Sequence, residues 1–169
     1  MAKALSAVLF DLYGTLLDVR SVSSRADQLF PGRGEALSQL WRDKQLEYSR
    51  LRSMSSRYVP FTQVVEDALQ YACDALHLPL DSAGRGLLMH EFTQLTPFPD
   101  VTPALKRLVD AELTVGVLTN GDPGQLEDAL HGAGTPGGRV VGDGPPRQRR
   151  VADSIRFRYT RASMATALP

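Results

Sequence analysis

A carboxylate at the end of a short apolar run is the group in this chain best placed for nucleophilic chemistry. Asp11 follows the apolar residues 7–10 and precedes Gly14 and Thr15. Such a run predicts a buried parallel strand, and α/β sheets bind their ligands at the carboxyl ends of these strands. Gly14 permits a sharp turn, and the Thr15 hydroxyl can hold the carboxylate in one rotamer. An isolated Asp beside Gly more often only ends a strand, so a second feature must decide whether Asp11 has a catalytic role.

That feature is the run 113–121, which reads Leu-Thr-Val-Gly-Val-Leu-Thr-Asn-Gly. It is rich in residues that favour strands and it ends in a hydroxyl, an amide and a glycine, so it predicts a second buried strand. Two such strand ends would form the two halves of one anion site. Asp11 would be the nucleophile, and Thr119 and Asn120 would donate hydrogen bonds.

The elements that must position these groups follow one another along the chain as a strand, a helical insertion and then a return to α/β structure. Apolar residues at helical spacing and turn signals predict helices at residues 34–54, 61–78, 101–111 and 122–130. The last of these would point its positive N-terminal end at the anion site. The predicted domains are an α/β core of residues 1–16 and 97–134, a helical cap of residues 17–96, and an irregular tail of residues 135–169.

Residues 10–16, Phe-Asp-Leu-Tyr-Gly-Thr-Leu, resemble the first motif of the haloacid dehalogenase superfamily, and residues 118–121 resemble its second. Phosphatases of that superfamily carry a second acid two residues after the nucleophile, where this chain has Tyr13. Tyrosine there is similar to the L-2-haloacid dehalogenases, which need no metal and no acid because a halide leaves as an anion. The resemblance implies a Rossmann-like parallel-sheet core with an inserted helical cap, and no cofactor.

Residues 31–34, 40–48 and 51–53 are similar to the cap entry of the L-2-haloacid dehalogenases. By that resemblance Arg42 receives the departing halide or the substrate carboxylate. The resemblance also implies an apolar pocket around the attacked carbon, lined by Tyr13, Leu46 and Phe61.

Arg42 suits an anion on physical grounds as well, because its guanidinium stays charged and offers a planar fork of donors. The alternative is a surface arginine paired with Asp43 or Glu47. Asp43 also departs from the family pattern, which often has Gln there, and an acid turned inward would weaken the hold of Arg42 on anions.

Composition favours a soluble cytoplasmic enzyme. The formal net charge is +0, so nothing indicates binding to nucleic acid or membrane, and no apolar run reaches the length of a membrane span. The N-terminus leaves no room for a signal sequence. The one cysteine, Cys73, excludes an internal disulfide and lies in a helical pattern as a small buried hydrophobe.

The resemblance stops near Gly134, where the chain becomes rich in Gly, Pro and Arg. The family would continue with a lysine-bearing third motif and a last strand carrying Ser, Asn and Asp, yet no lysine follows Lys106. We therefore expect the C-terminal part of the core to be missing, through a frameshifted or truncated reading frame, with the tail disordered. The alternative is a natural basic tail that binds an acidic partner.

The sequence thus predicts an (S)-2-haloacid dehalogenase-like hydrolase that forms an aspartyl ester with a small 2-haloacid. Because the third- and fourth-motif residues are absent, a trapped ester or no activity is expected rather than turnover. The resemblance implies a homodimer. The alternatives are a magnesium-dependent phosphatase of the same superfamily and a non-catalytic fragment.

Overall fold

The computed structural model describes residues 7–57, 59–119 and 121 and the two strands at 139–141 and 155–159. Its strands are β1 (Ala7–Phe10), β2 (Leu17–Asp18), β3 (Thr96–Pro97), β4 (Thr114–Thr119), β5 (Arg139–Val141) and β6 (Ile155–Tyr159). Its helices are α1 (Ser23–Leu29), α2 (Gly34–Met54), α3 (Phe61–Ala75), α4 (Ser82–Glu91) and α5 (Val101–Asp110), with a 3-10 turn at Val19–Val22. The predicted helix at 122–130 lies outside the described residues.

The sheet places the two predicted motif strands side by side. Its order is β1-β4-β6-β5, and β1 pairs with β4 in parallel, with Phe10 opposite Val117. Val115 and Val117 are fully buried in β4, as expected of a central strand. A parallel pair needs a long crossover, and here the helices supply it. The predicted α/β fold with a parallel strand pair and a helical insertion is confirmed.

Strands β5 and β6 lie within the tail, and both run antiparallel to their neighbours. The expectation of irregular structure is wrong for these two stretches. Residues 155–159 read Ile-Arg-Phe-Arg-Tyr, a strict alternation of apolar and charged residues that is typical of a strand. The edge of β4 that faces away from β1 can accept such a strand. β6 pairs along this edge, with Phe157 opposite Val117.

Contacts divide the chain into two compact units. The core unit comprises the described parts of Met1–Asp18 and Thr96–Pro169, and the helical unit comprises Val19–Leu95. These boundaries lie beside the predicted ones at 17 and 96. In the core unit, β2 pairs with β3, so Leu17 stands opposite Pro97 where the chain leaves and re-enters the unit.

The helical unit is held together by the apolar faces of α2 and α3. Trp41 of α2 is 2% exposed, and its indole N–H donates to the Val65 carbonyl oxygen at 2.8 Å. The face of α3 that meets it consists of the buried residues Val64, Val65, Ala68, Leu69, Ala72 and Cys73. Their spacing is that of one helical stripe. Arg52 and Asp67 join the same two helices by an ion pair.

Gly34 lets α2 begin directly against α1. A Cβ at this position would stand 2.3 Å from the carbonyl oxygen of Ser23 and 2.6 Å from the backbone nitrogen of Asp27. The Gly34 N–H donates to the Asp27 carboxylate at 3.1 Å, which supplies an acceptor at the start of α2. Any side chain here would force the two helices apart.

Left-handed residues end three of the helices. Ser56, His77 and Glu112 have φ of 55°, 54° and 61° and follow α2, α3 and α5. In each case the next N–H reaches back to a carbonyl of the last turn, as Leu78 does to Cys73 at 2.8 Å. This closure is a Schellman-type motif, usually made with glycine. It explains why α3 ends at Ala75 and not at the predicted residue 78.

Candidate active site

The loop after β1 exposes Asp11 and buries its neighbours. Asp11 is exposed, whereas Leu12 and Tyr13 are 0% and 5% exposed. Gly14 has φ of 90°, a conformation that favours glycine, and its N–H donates to the Leu17 carbonyl oxygen at 2.8 Å. The turn therefore fixes the backbone after Asp11 and leaves the carboxylate itself accessible, as a nucleophile requires.

The ends of β1 and β4 meet through Tyr13 and Gly121. A Cβ at residue 121 would lie 3.1 Å from Cε2 and 3.3 Å from the hydroxyl oxygen of Tyr13, and 3.5 Å from Oγ1 of Thr119. Thr119 is 4% exposed, and its hydroxyl oxygen accepts the Gly121 N–H at 3.2 Å. Tyr13 and Thr119 thus both lie close to Gly121. Asn120 lies outside the described residues.

Thr15 is exposed in the same loop as Asp11. Its N–H donates to the Leu12 carbonyl oxygen at 3.3 Å, which places it within the turn. The expected hydroxyl contact with the carboxylate stays a prediction.

Helix α2 carries the anion-binding candidate of the helical unit. Arg42 is half-buried, and its Nη1 donates to Oε1 of Gln45 at 2.7 Å. Leu46 lies one turn after Arg42 on the same face and is 38% exposed. Phe61, the first residue of α3, is 8% exposed. The roles of these side chains around a substrate remain predictions.

The two acids that were the alternative partners of Arg42, Asp43 and Glu47, make other contacts. Asp43 is exposed and accepts a hydrogen bond from Nε2 of Gln39 at 3.0 Å, on the outer side of α2. Glu47 pairs with Lys44 at 2.7 Å. Asp43 therefore does not turn inward, and the departure from the family pattern places its charge in solvent, where screening weakens its effect on Arg42.

Gln45 is the residue beside Arg42 that sequence reasoning missed. It is 1% exposed and lines a cavity of about 10 Å³. The other residues that line the cavity are Val19, Ser38, Trp41, Arg42 and Phe92. The available signal was spacing, because residues three apart on a helix are neighbours and glutamine can accept from arginine.

Cys73 belongs to the interior and not to the chemistry. It is 0% exposed, and burial raises the pKa of its thiol to about 11, with a smaller contribution from nearby Asp74. A thiol that keeps its proton is a poor nucleophile. The interpretation of Cys73 as a small buried hydrophobe is confirmed.

Comparison with known proteins agrees with this fold. A family model described as haloacid dehalogenase-like hydrolase matches residues 5–150. The (S)-2-haloacid dehalogenase of Pseudomonas sp. (strain YL) is 45% identical over 130 residues, which cover 77% of this chain and 56% of that protein. The solved L-2-haloacid dehalogenase of Xanthobacter autotrophicus is 41% identical with a TM-score of 0.72, over 78% of this chain and 53% of that one.

The chain therefore belongs to the haloacid dehalogenase-like hydrolases. Within that family its curated and structural neighbours are L-2-haloacid dehalogenases, which confirms the resemblance drawn from its motifs. A second structure of the Xanthobacter enzyme has chloropropionic acid covalently bound, and it is 40% identical with a TM-score of 0.72, over 78% of this chain and 53% of that one. The chain spans about half the length of the relatives it matches.

Within the described residues, no helix has both the length and the apolar character needed to cross a bilayer.

Proposed function

We propose that this chain carries the alkylation chemistry of an (S)-2-haloacid dehalogenase. A carboxylate oxygen of Asp11 attacks C2 of a 2-haloalkanoate, a carbon-oxygen bond forms, and the halide leaves with the electron pair of the broken bond. Arg42 and Asn120 stabilise the anions, and Thr15 and Thr119 orient the carboxylate and the substrate. The product of this step is an aspartyl ester, which makes the route covalent catalysis.

The observation that carries the proposal is the tyrosine two residues after the nucleophile. Tyr13 is 5% exposed and packs its ring against the site of Gly121, so this position offers an apolar wall and not a carboxylate. A phosphatase of this family would need an acid there to protonate a leaving alkoxide. A halide needs no proton, and an apolar wall that excludes water strengthens the electrostatics at the reacting carbon. The covalently bound chloropropionic acid of the Xanthobacter enzyme supports the same route.

The second half of the reaction is the hydrolysis of that ester, and the residues expected to promote it are absent from this chain. No lysine follows Lys106, so none is available to steady the Asp11 carboxylate as the third-motif lysine does. The proposal is therefore that the 169-residue chain forms the ester and leaves it trapped. Since attack inverts C2 and hydrolysis occurs at the aspartyl carbonyl, base treatment of the trapped ester releases the (R)-2-hydroxyacid.

The reading frame of the tail is part of the proposal. The change to Gly, Pro and Arg after residue 134 supports a frameshift. Resequencing the gene and translating all three frames is the test. A frame that restores a lysine-bearing strand and loop is expected, and the idea fails if no frame does.

The proposal includes independence from metal ions, a cytoplasmic location and a homodimer. The tyrosine at position 13 supports the first, and a single buried thiol, Cys73, is consistent with the second. The homodimer rests on the resemblance to the L-2-haloacid dehalogenases. The formal net charge of +0 supports a small-molecule substrate and no nucleic-acid or membrane partner.

The experiment that separates the candidate reactions offers the purified chain three substrates. They are (S)-2-chloropropionate, (R)-2-chloropropionate and p-nitrophenyl phosphate, each with EDTA and with magnesium. Chloride release from the (S) enantiomer, unchanged by EDTA, is the expected result. Magnesium-dependent release of phosphate would overturn the proposal in favour of a phosphatase. Release from neither substrate class by a cooperatively folded chain would favour the non-catalytic fragment.

A further inference from the structure

Gln45 is a buried amide whose position packing alone does not explain. It lies on α2 with 1% of its surface exposed, and its Oε1 accepts the Arg42 Nη1–H at 2.7 Å. Its Nε2 is buried and has no hydrogen-bond partner among the described residues. A buried amide left half-paired costs stability, so a methionine or leucine would fill this space at lower cost. The hydrogen bond from Arg42 provides a reason for a polar side chain at this buried position.

The surroundings of Gln45 make it a rigid anchor. It borders the small cavity together with Ser38, Trp41 and Phe92. The Trp41 and Phe92 rings stand 5.5 Å apart, and the Trp41 indole is tied to the Val65 carbonyl oxygen, so this wall is fixed to α3. Half-buried Arg42 has a long, flexible stem that would otherwise sample many rotamers.

We infer that Gln45 is a positioning residue, which holds the Arg42 guanidinium in one orientation for the anion that Arg42 binds. This inference rests on the proposed function, because it takes halide binding by Arg42 from there. A fixed guanidinium does not lose side-chain entropy when the anion arrives, so it binds more tightly than a mobile one. Loss of the Gln45 oxygen removes this restraint on Arg42 without removing its charge.

Trp41 supplies a direct readout. It is the only tryptophan in the sequence, and it borders the same cavity as Arg42 and Gln45. Bromide is a heavy-atom quencher, so its binding at Arg42 produces a saturable loss of Trp41 fluorescence on top of the linear collisional part. Titrating sodium bromide at constant ionic strength, set with sodium fluoride, measures the dissociation constant without any need for turnover.

The experiment compares the full chain with Gln45→Met, Gln45→Asn and Arg42→Met. The matched control is Gln28→Met, since Gln28 on α1 accepts from Arg25 at 2.6 Å with the same spacing but in an exposed place. Gln45→Met is expected to weaken bromide binding about tenfold, as the loss of a hydrogen bond to a charged group does. Its unfolding midpoint in urea is expected to stay or rise. Gln45→Asn, one methylene shorter, is expected to weaken binding too, and Gln28→Met to change nothing.

Two results would overturn the inference while the proposed function stands. One is bromide affinity unchanged in both Gln45 variants. The other is a loss of affinity that only follows a loss of stability, which is what a purely structural residue would give. If the unmodified chain shows no saturable quenching, or if Arg42→Met still shows it, Arg42 is not the anion-binding residue of the proposed function. The inferred role of Gln45 is then wrong as well.

Discussion

Gly121 lies against the aromatic ring of Tyr13, so close that a single added methyl group would stand 3.1 Å from Cε2 of the ring. The two residues follow different strands, β1 and β4, which pair in parallel. The contact therefore links the loop that carries Asp11 to the loop that follows Thr119. It also explains why the last position of the second motif has no side chain.

Gly121→Ala tests this link. The added methyl group must displace the Tyr13 ring by a few tenths of an ångström, and Tyr13 is the proposed wall beside the reacting carbon. Alkylation of Asp11 is expected to slow about tenfold, because small misplacements at a reacting centre are costly. Mass spectrometry of the chain during incubation with (S)-2-chloropropionate measures the rate. An unchanged rate would show that the ring does not shape the site.

Gly34→Ala and Gly86→Ala are predicted to act in opposite directions. The first forces a methyl group to 2.3 Å from the Ser23 carbonyl oxygen, so it should destabilise the helical unit by about 3 kcal/mol. Gly86 lies exposed within α4 with nothing near its Cβ position, so alanine there should stabilise by about 0.5 to 1 kcal/mol. Urea unfolding followed by Trp41 fluorescence measures both. Equal effects of the same sign would contradict the close approach of α1 and α2.

The pair of Arg52 and Asp67 should make the helical unit sensitive to acid. Partial burial acts to raise the pKa of Asp67, but hydrogen bonds from Arg52 and Gln63 outweigh it and lower the pKa below 3.8. A depressed carboxyl pKa stabilises the folded state above the unfolded value, and that contribution is lost as pH falls through the folded one. Arg52→Met should therefore cost about 0.5 kcal/mol at pH 7 and little at pH 2.

The control for this pair is Lys106→Met, which removes the exposed contact of Lys106 with Asp110. The urea unfolding midpoints of both variants, measured from pH 7 to pH 2, show whether the stabilising effect of Arg52 depends on the charge of Asp67. A loss in Arg52→Met that is the same at pH 7 and pH 2 would show that Arg52 acts through its packing and not through its charge.

Cys73 should resist thiol reagents and weaken the fold in alkali. Its pKa is raised from 9.0 to about 11, so between those values the unfolded chain loses a proton that the folded chain keeps. Stability must then fall as pH rises through that window. The difference in urea midpoint between the chain and Cys73→Ala, measured from pH 8 to pH 11, reports this effect. Ready labelling of the native thiol at pH 8 would contradict its burial.

Periodic segments made much of the fold predictable. Helix α2 spans the residues 34–54 that its apolar spacing predicts, and β1 spans 7–10. Strand β6 was not predicted because its short alternation of apolar and charged residues lies in a tail whose overall composition indicates irregular structure. The end of α3 depended on His77 adopting a left-handed conformation, which sequence seldom signals for a residue other than glycine.

The candidate site was predictable in its residue types and less so in its side-chain geometry. Asp11 directly after β1 and Thr119 at the end of β4 are placed by the strand pattern, whereas their proposed roles come from the resemblance. The outward turn of Asp43 comes with a hydrogen bond from Gln39, and one contact of Arg42 is its hydrogen bond to Gln45. Both are choices of rotamer among neighbours on one helix, which a pattern of residue types leaves open.

Alkylation of Asp11 is measured most directly by the intact mass of the chain before and after incubation with (S)-2-chloropropionate, with chloride followed in parallel. We expect a mass gain of one 2-propionate group located on Asp11, one chloride released in a rapid phase for each chain, and neither in Asp11→Asn. A cooperatively folded chain that gains no mass and releases no chloride would contradict the proposed alkylation. So would chloride release that continues in Asp11→Asn.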